Sequence, residues 1–183
     1  MKGILLFIIS FVLFSTACRQ KSEFFDDCNC SKVKLKDAIT VTDTLNHFQI
    51  EFPDRSWYHI LSLDTNGNSI TGGDTSLGYL RIVVVTELND KSFLKNWDIQ
   101  QAGVESEFNV VEKGEIELYN QIVHWNLVRI DVDQRITWSL YLTVEHPRED
   151  RYYLLNLSVD DDKNARERIC TLESFLETFE MIE

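Results

Sequence analysis

One strictly alternating segment, with the segment that follows it, constrains the fold most strongly. Apolar side chains occupy every second position from Ile136 to Val144, which is the period of a strand with one face in a core. The connection His146–Asp150 then leads to a second alternating segment, Tyr153–Val159. Two such segments joined by a short connection predict an antiparallel hairpin. The domain must therefore be built on an antiparallel sheet.

Other segments also have the composition and period of strands. They are Ile39–Thr42, Phe48–Phe52, Trp57–Leu63, Leu80–Val85, Phe108–Val111, Glu115–Leu118 and Gln121–Val132. The unbroken β-branched run at Leu80–Val85 predicts a strand in the middle of the sheet, covered on both faces. Within Gln121–Val132 the alternating apolar positions shift by one residue, which predicts a β-bulge near Leu127. The segment from Asp64 to Gly78 is rich in turn residues and predicts a mobile loop.

Two segments have the period of amphipathic helices. In the region Asp90–Gly103 apolar residues recur at three- and four-residue spacing, as on a helix that packs one face on a core. The stretch from Lys163 to Ile182 gathers its apolar residues on one side in the same way. Cys170 falls on the opposite, polar side of this second predicted helix, so we expect it to be reachable from outside the core.

The N-terminus has the pattern of an export signal. Lys2 precedes the apolar run Ile4–Phe14, which is shorter than the roughly 20 residues that span a bilayer core and fits a cleavable signal. The next residues, Ser15-Thr16-Ala17-Cys18, resemble the lipobox of bacterial lipoproteins, with Ser15 in place of the usual leucine. This resemblance implies that the thiol of Cys18 is lipidated and that Cys18 becomes the mature N-terminus.

The lipobox resemblance implies a signal peptide at residues 1–17. The mostly polar residues after the lipidated cysteine predict a flexible tether at residues 18–38, and the first strand at Ile39 begins a globular domain at residues 39–183. Arg19-Gln20 lacks the aspartate that retains many lipoproteins at the inner membrane, which favours the outer membrane. The three acyl chains that the resemblance implies suffice for stable attachment, since two or more chains hold a protein stably on a bilayer.

The charge of the chain limits its partners. It has 18 Lys and Arg against 30 Asp and Glu, a net charge of −12. Such a chain repels nucleic acid and anionic lipid alike. We therefore expect its contact with the membrane to come from the lipid anchor, and its partner to be an envelope protein.

Three cysteines remain once Cys18 is lipidated, and disulfides persist outside the cytoplasm. A bridge between Cys28 and Cys30 would close a strained ring, so pairing of either one with Cys170 has the better geometry. The sequence does not decide between these two pairings, and a fully reduced state of all three thiols remains open.

The sequence contains no pattern that specifies catalysis or metal binding. Asp64–Asn68 can be compared with a calcium loop, but Ser69 and Thr75 stand where an EF-hand needs glycine and a bidentate glutamate. No serine lies in a G-x-S-x-G elbow. The four histidines lack the spacing of metal ligands; they are His47, His59, His124 and His146. We predict no catalytic residue, no metal site and no cofactor.

The motif Phe48-x-Ile50-x-Phe52-Pro53-x-x-x-Trp57 resembles the start of PsbP-like domains, and the order of elements from Ile39 to Glu183 is similar to theirs. The resemblance implies an α+β fold, an α-β-α sandwich in which one mainly antiparallel sheet carries helices on both faces. The family includes photosystem assembly and oxygen-evolution subunits and, on the same fold, a Ran-binding nuclear import cofactor. Its members are generally non-enzymatic binding modules. None of their functional residues is assigned to a position in this chain.

These observations favour a membrane-anchored envelope lipoprotein that acts as a non-catalytic binding or assembly module. One alternative is an envelope hydrolase that uses dispersed carboxylates or a histidine. The other is a carrier of a small ligand or a metal.

Overall fold

The computed structural model describes residue 25 and residues 34–35, 37–53, 56–64, 67–88, 109–132, 135–160 and 163–182. The predicted signal peptide, the predicted helix at Asp90–Gly103, and the cysteines Cys18, Cys28 and Cys30 lie outside the described residues.

The described residues form two antiparallel sheets. The strands are β1 (Ile39–Thr42), β2 (Phe48–Phe52), β3 (Tyr58–Asp64), β4 (Gly67–Asp74), β5 (Arg81–Leu88), β6 (Asn109–Leu118), β7 (Gln121–Val132), β8 (Arg135–Glu145), β9 (Tyr152–Asp160) and β10 (Glu180–Met181). The larger sheet has seven strands in the order β3-β4-β5-β9-β8-β7-β6, and the smaller has the order β1-β2-β10. The predicted β8–β9 hairpin is confirmed, and β5 lies in the middle of the larger sheet as predicted.

Strand β4 occupies the segment that the sequence predicted to be a mobile loop. Gly72 and Gly73 make room for aromatic rings: a Cβ at Gly72 would overlap the ring of Phe52, and a Cβ at Gly73 would overlap the ring of Tyr58. Glycine inside a strand often marks such a close approach. The loop prediction is therefore wrong for residues 67–74, because the rings that need Gly72 and Gly73 come from other strands. Residues 75–78 do form a turn, which joins β4 to β5.

Strand β6 is continuous where two strands were predicted. Gly114 pairs with Trp125 on β7, and a Cβ at Gly114 would press against the indole ring, so this glycine again serves packing. The predicted bulge near Leu127 is displaced to the facing strand: the register shifts between Val110 and Glu112 on β6. Strand β7 itself pairs with β8 without interruption, and Leu127 is buried.

The C-terminal helix is much shorter than predicted. Helix α1 spans Ala165–Leu172 and is followed by a 3₁₀ turn at Glu173–Phe175. The chain then becomes β10, whose Glu180 and Met181 pair with β2. The apolar residues of the predicted helix can be buried without a continuous helix. The hydrogen-bonded ladder with β2 satisfies the backbone N–H and C=O groups of β10, which a longer helix would otherwise have paired.

The core lies between one face of the larger sheet and a layer made of α1 and the smaller sheet. Helix α1 is the one helix whose bounds fall within the described residues, so helices on both faces are not supported, and the smaller sheet is an element that the prediction lacked. Phe25, placed by the sequence in the tether, packs against this core with its ring edge-on to Trp125 at 5.6 Å between centroids.

Candidate functional site

Strand β3 is an open edge of the larger sheet. Among the described strands it pairs only with β4, so no described strand occupies the other side of its backbone ladder. Every residue from Tyr58 to Leu63 is exposed, on both faces of the strand. Its four large apolar side chains are the most concentrated exposed set in the described structure; they are Tyr58 at 47% exposed, Ile60 at 58%, Leu61 at 44% and Leu63 at 53%.

The opposite edge of the same sheet, β6, has the features that protect an edge against strand pairing. It carries the charged residues Lys113, Glu115 and Glu117 at exposed positions, and its register shifts near Val111. Charges and irregularities of this kind discourage another strand from adding to an edge. Residues 58–63 of β3 include no Asp, Glu, Lys or Arg. The two edges of one sheet therefore differ in chemistry, and residues 58–63 of β3 lack the charges that discourage strand addition.

A buried polar cluster fixes the end of β4 and β5 nearest the β1–β2 turn. The carboxylate of Asp43 accepts the backbone N–H groups of Leu45, His47 and Phe48, each at 2.6 Å. It also accepts a hydrogen bond from the side-chain amide of Asn68 on β4. Burial raises the pKa of Asp43, but these four hydrogen bonds outweigh burial and leave the pKa below its ordinary value of 3.8.

Glu87 on β5 lies beside Asn68 and completes this cluster. Its buried carboxylate lies 2.9 Å from the Nδ1 atom of His47, accepts the Asn68 amide at 3.3 Å and lies 3.5 Å from the Nε atom of Arg151. Tyr153 is its cross-strand neighbour on β9. Burial, and then the negative charge of Glu87, raises the pKa of Tyr153 to about 12, so the phenol is neutral at physiological pH.

A second buried cluster fixes the other end of the β4–β5 pair. Asp74 and Arg81 are cross-strand partners, and the guanidinium binds the carboxylate through Nε at 3.1 Å and through NH2. The guanidinium also lies over the ring of Trp57, 5.1 Å from its centroid. Burial raises the pKa of Asp74, but hydrogen bonds from Arg81 and Ser76 and the charge of Arg81 lower it below 3.8.

The two clusters explain how an exposed strand is held in place. They anchor β4 to β5 at both ends, and β3 is held to β4 by seven cross-strand pairs. The ring of Tyr58 lies on Gly73, and His59 stacks on Phe52 with 6.4 Å between ring centroids. The edge is therefore presented by a rigid support although its own side chains are in solvent.

Cys170 is only 4% exposed and belongs to the core, so its predicted position on a polar, reachable face is wrong. The rotation of the short helix α1 is set by packing on β8 and β9, which the periodicity of the longer predicted helix did not capture. Cys28 and Cys30 lie outside the described residues, so the pairing of either one with Cys170 stays a prediction.

The four histidines are separated in the structure. His47 faces Glu87, His59 stacks on Phe52, His124 lies 3.5 Å from Glu115 at the surface, and buried His146 accepts the N–H groups of Arg148 and Glu149 in the β8–β9 turn. Among the described residues no group of three or more His, Cys, Asp and Glu side chains is placed to hold a metal ion. No helix within the described ranges is long and apolar enough to cross a bilayer.

Sequence reasoning missed both polar clusters and the open edge. Asp43 lies in the short connection between β1 and β2, and Asn68 and Asp74 lie in the segment predicted to be a loop. The available signal for the edge was the Trp57–Leu63 segment itself, in which apolar residues occupy adjacent positions and no residue is acidic or basic apart from His59. The position of that strand at the end of a sheet has no sequence signature.

Solved structures with a similar fold include the following three. LpqN of Mycobacterium tuberculosis, a protein involved in cell envelope biogenesis, is 10% identical with a TM-score of 0.52, covering 85% of this chain and 99% of LpqN. A single-substitution mutant of Mog1 is 8% identical with a TM-score of 0.52, covering 80% of this chain and 96% of Mog1. A protein of Bacteroides thetaiotaomicron is 9% identical with a TM-score of 0.52 and covers 79% of this chain.

This chain spans about half of the Bacteroides protein, 48% of its length. No protein-family model and no curated protein matches the chain. Identities of this size show the fold alone. The predicted likeness to PsbP-like domains is therefore confirmed as a likeness of fold, since Mog1 belongs to that fold family.

Proposed function

We propose that this chain is an envelope lipoprotein, anchored in the outer membrane through acyl chains on Cys18, whose domain is a non-catalytic binding or assembly module. The observation that carries the binding proposal is the β3 edge, which is uncharged from Tyr58 to Leu63, exposed on both faces and rigidly supported. Natural proteins cover or charge such edges unless they use them for pairing with another strand.

The anchoring proposal is supported by the N-terminal signal and the lipobox resemblance. A likeness of fold to LpqN, which is involved in cell envelope biogenesis, agrees with an envelope location. The net charge of −12 opposes direct attraction to anionic lipid, so the acyl chains supply the membrane affinity.

Metabolic labelling with a fatty acid tests the anchor. The wild-type chain incorporates the label and sediments with membranes, and Cys18→Ser abolishes both. Cys28→Ser is the matched control, because it removes a nearby thiol outside the lipobox and should leave labelling unchanged. Continued labelling of Cys18→Ser contradicts the lipoprotein proposal.

Co-purification from envelope membranes tests the binding surface. Ile60→Lys places a charge on the β3 edge at an exposed position, where it should leave folding intact and prevent strand addition. Val111→Lys is the matched control on the opposite, already charged edge. A protein retained by wild type and control and lost by Ile60→Lys supports the proposal, whereas equal retention by all three contradicts it.

The hydrolase alternative has one supporting observation, the pair of His47 and Glu87. A buried carboxylate 2.9 Å from a ring nitrogen of a partly exposed histidine is an arrangement that orients a general base. Assays with activated esters and phosphate esters distinguish this alternative. Turnover by the wild type that His47→Gln abolishes, with Ile60→Lys fully active, would replace the binding proposal by a catalytic one.

The carrier alternative is tested by calorimetry of the full chain with calcium and with zinc. Binding of either ion below millimolar concentration would favour it over the binding module.

A further inference from the structure

We propose that the partner of the β3 edge is β3 of a second copy of this chain, paired antiparallel about a two-fold axis so that the larger sheets of two copies become continuous. This inference rests on the proposed function, since it takes β3 as the binding surface and names the occupant.

The strand is complementary to itself in the register that pairs all seven of its residues. In that register Leu61 of one copy faces Leu61 of the other, and directly opposed residues share one face of the joined sheet. His59 then faces Leu63 beside the Leu61 pair, which joins exposed apolar side chains on the face that continues the core. On the other face Ile60 meets Ser62.

The charges of the chain also permit this pairing. Asp64, the only carboxylate of the seven, is opposite Tyr58 of the other copy, and His59 is opposite Leu63, so no like charges are opposed. The net charge of −12 repels two copies at a distance, but salt screens charges beyond about 8 Å at physiological ionic strength. Pairing should therefore strengthen as salt is raised, unlike a contact made by opposite charges.

The size of the contact indicates where the pairing takes place. Seven residues of strand are about 24 Å long, and two strands of that length cover on the order of 400 Å² per copy, about half of what a stable complex buries per partner. The pair is therefore weak between copies free in solution. Two copies anchored to the same membrane meet at a high effective concentration, which compensates for the small contact.

Disulfide cross-linking in membranes tests the register. The full-length chain with Leu61→Cys is expressed with its signal, and isolated membranes are treated with a mild oxidant. Opposed residues of an antiparallel pair have Cα atoms about 4.5–5.5 Å apart, within the range of a disulfide. We expect about tenfold more covalent dimer than for Val111→Cys, the exposed control on the β6 edge, and about tenfold less when Ile60→Lys is added.

Three results are decisive for the inference. A linked pair of peptides that both contain position 61, with a yield that rises with salt, supports it. A yield equal to that of Val111→Cys, or one that Ile60→Lys leaves unchanged, overturns it. If the cross-link fails in this way but Ile60→Lys still loses a different envelope protein in the co-purification, the second copy is ruled out while the proposed binding function stands.

Discussion

Replacing Asp43 by alanine tests whether the buried cluster beneath the exposed edge stabilises the domain. The Asp43 carboxylate receives four hydrogen bonds, and two of them, from the N–H of Phe48 and the amide of Asn68, are buried. The two from Leu45 and His47 are partly buried, so water replaces the carboxylate there once the side chain is removed.

The magnitude follows from the two buried donors. A buried donor left without its acceptor costs about 1–3 kcal/mol, and more when the lost acceptor is charged. We therefore expect Asp43→Ala to lower the free energy of unfolding by about 4 kcal/mol at pH 7. Asp43→Asn keeps one acceptor oxygen and should lose about 2 kcal/mol. Thr44→Ala, an exposed change in the same turn, should stay within about 0.5 kcal/mol.

Urea unfolding followed by circular dichroism measures these differences, and the pH dependence identifies their cause. The pKa of Asp43 is lower in the folded than in the unfolded chain, so its contribution is complete above the unfolded value of 3.8 and is lost as pH falls through the folded pKa. The gap between wild type and Asp43→Ala should be constant from pH 7 to 5 and narrow below pH 4. A gap under 1 kcal/mol at pH 7, or a gap that does not narrow at all as the pH falls below 4, would refute the reasoning.

Three further predictions concern single sites. Gly72→Ala should lower the free energy of unfolding in urea by about 2–3 kcal/mol, because the new methyl group overlaps a core ring. Gly78→Ala has open space around the new methyl group but a φ of +77°, so it should lose only about 1 kcal/mol. Equal losses in the two variants would contradict the packing argument. Arg81→Lys should lower the free energy of unfolding by about 2 kcal/mol, because lysine cannot contact the carboxylate of Asp74 through two nitrogens. The loss is measured as a fall in the melting temperature, and an unchanged melting temperature would show that the contact contributes nothing. Mass spectrometry without reductant should find Cys170 linked to the Cys28–Cys30 segment, a closure that stabilises by up to about 5 kcal/mol; complete alkylation of Cys170 without reductant would exclude it.

The strands of this protein were largely determined by local sequence. The limits of β1, β2 and β7 coincide with the predicted ones, and the β8–β9 hairpin follows from its alternation alone. Alternation predicts a strand because a strand with one buried face must place every second side chain in the core. The period therefore indicates the strand whichever strands lie beside it.

Only the tertiary structure decided what the glycines and the C-terminal stretch do. Gly72 belongs to a strand because a ring from β2 lies on it, and the segment ending at Met181 leaves the helix because β2 offers a ladder. The candidate site arises in the same way. Strand order decides that Ile60 is exposed, that Asp43 contacts Asn68 and that Glu87 contacts His47. This order is set by contacts between residues far apart in the chain. Local period carries no information about such contacts, because it records which face a residue occupies and not which strand lies beside it.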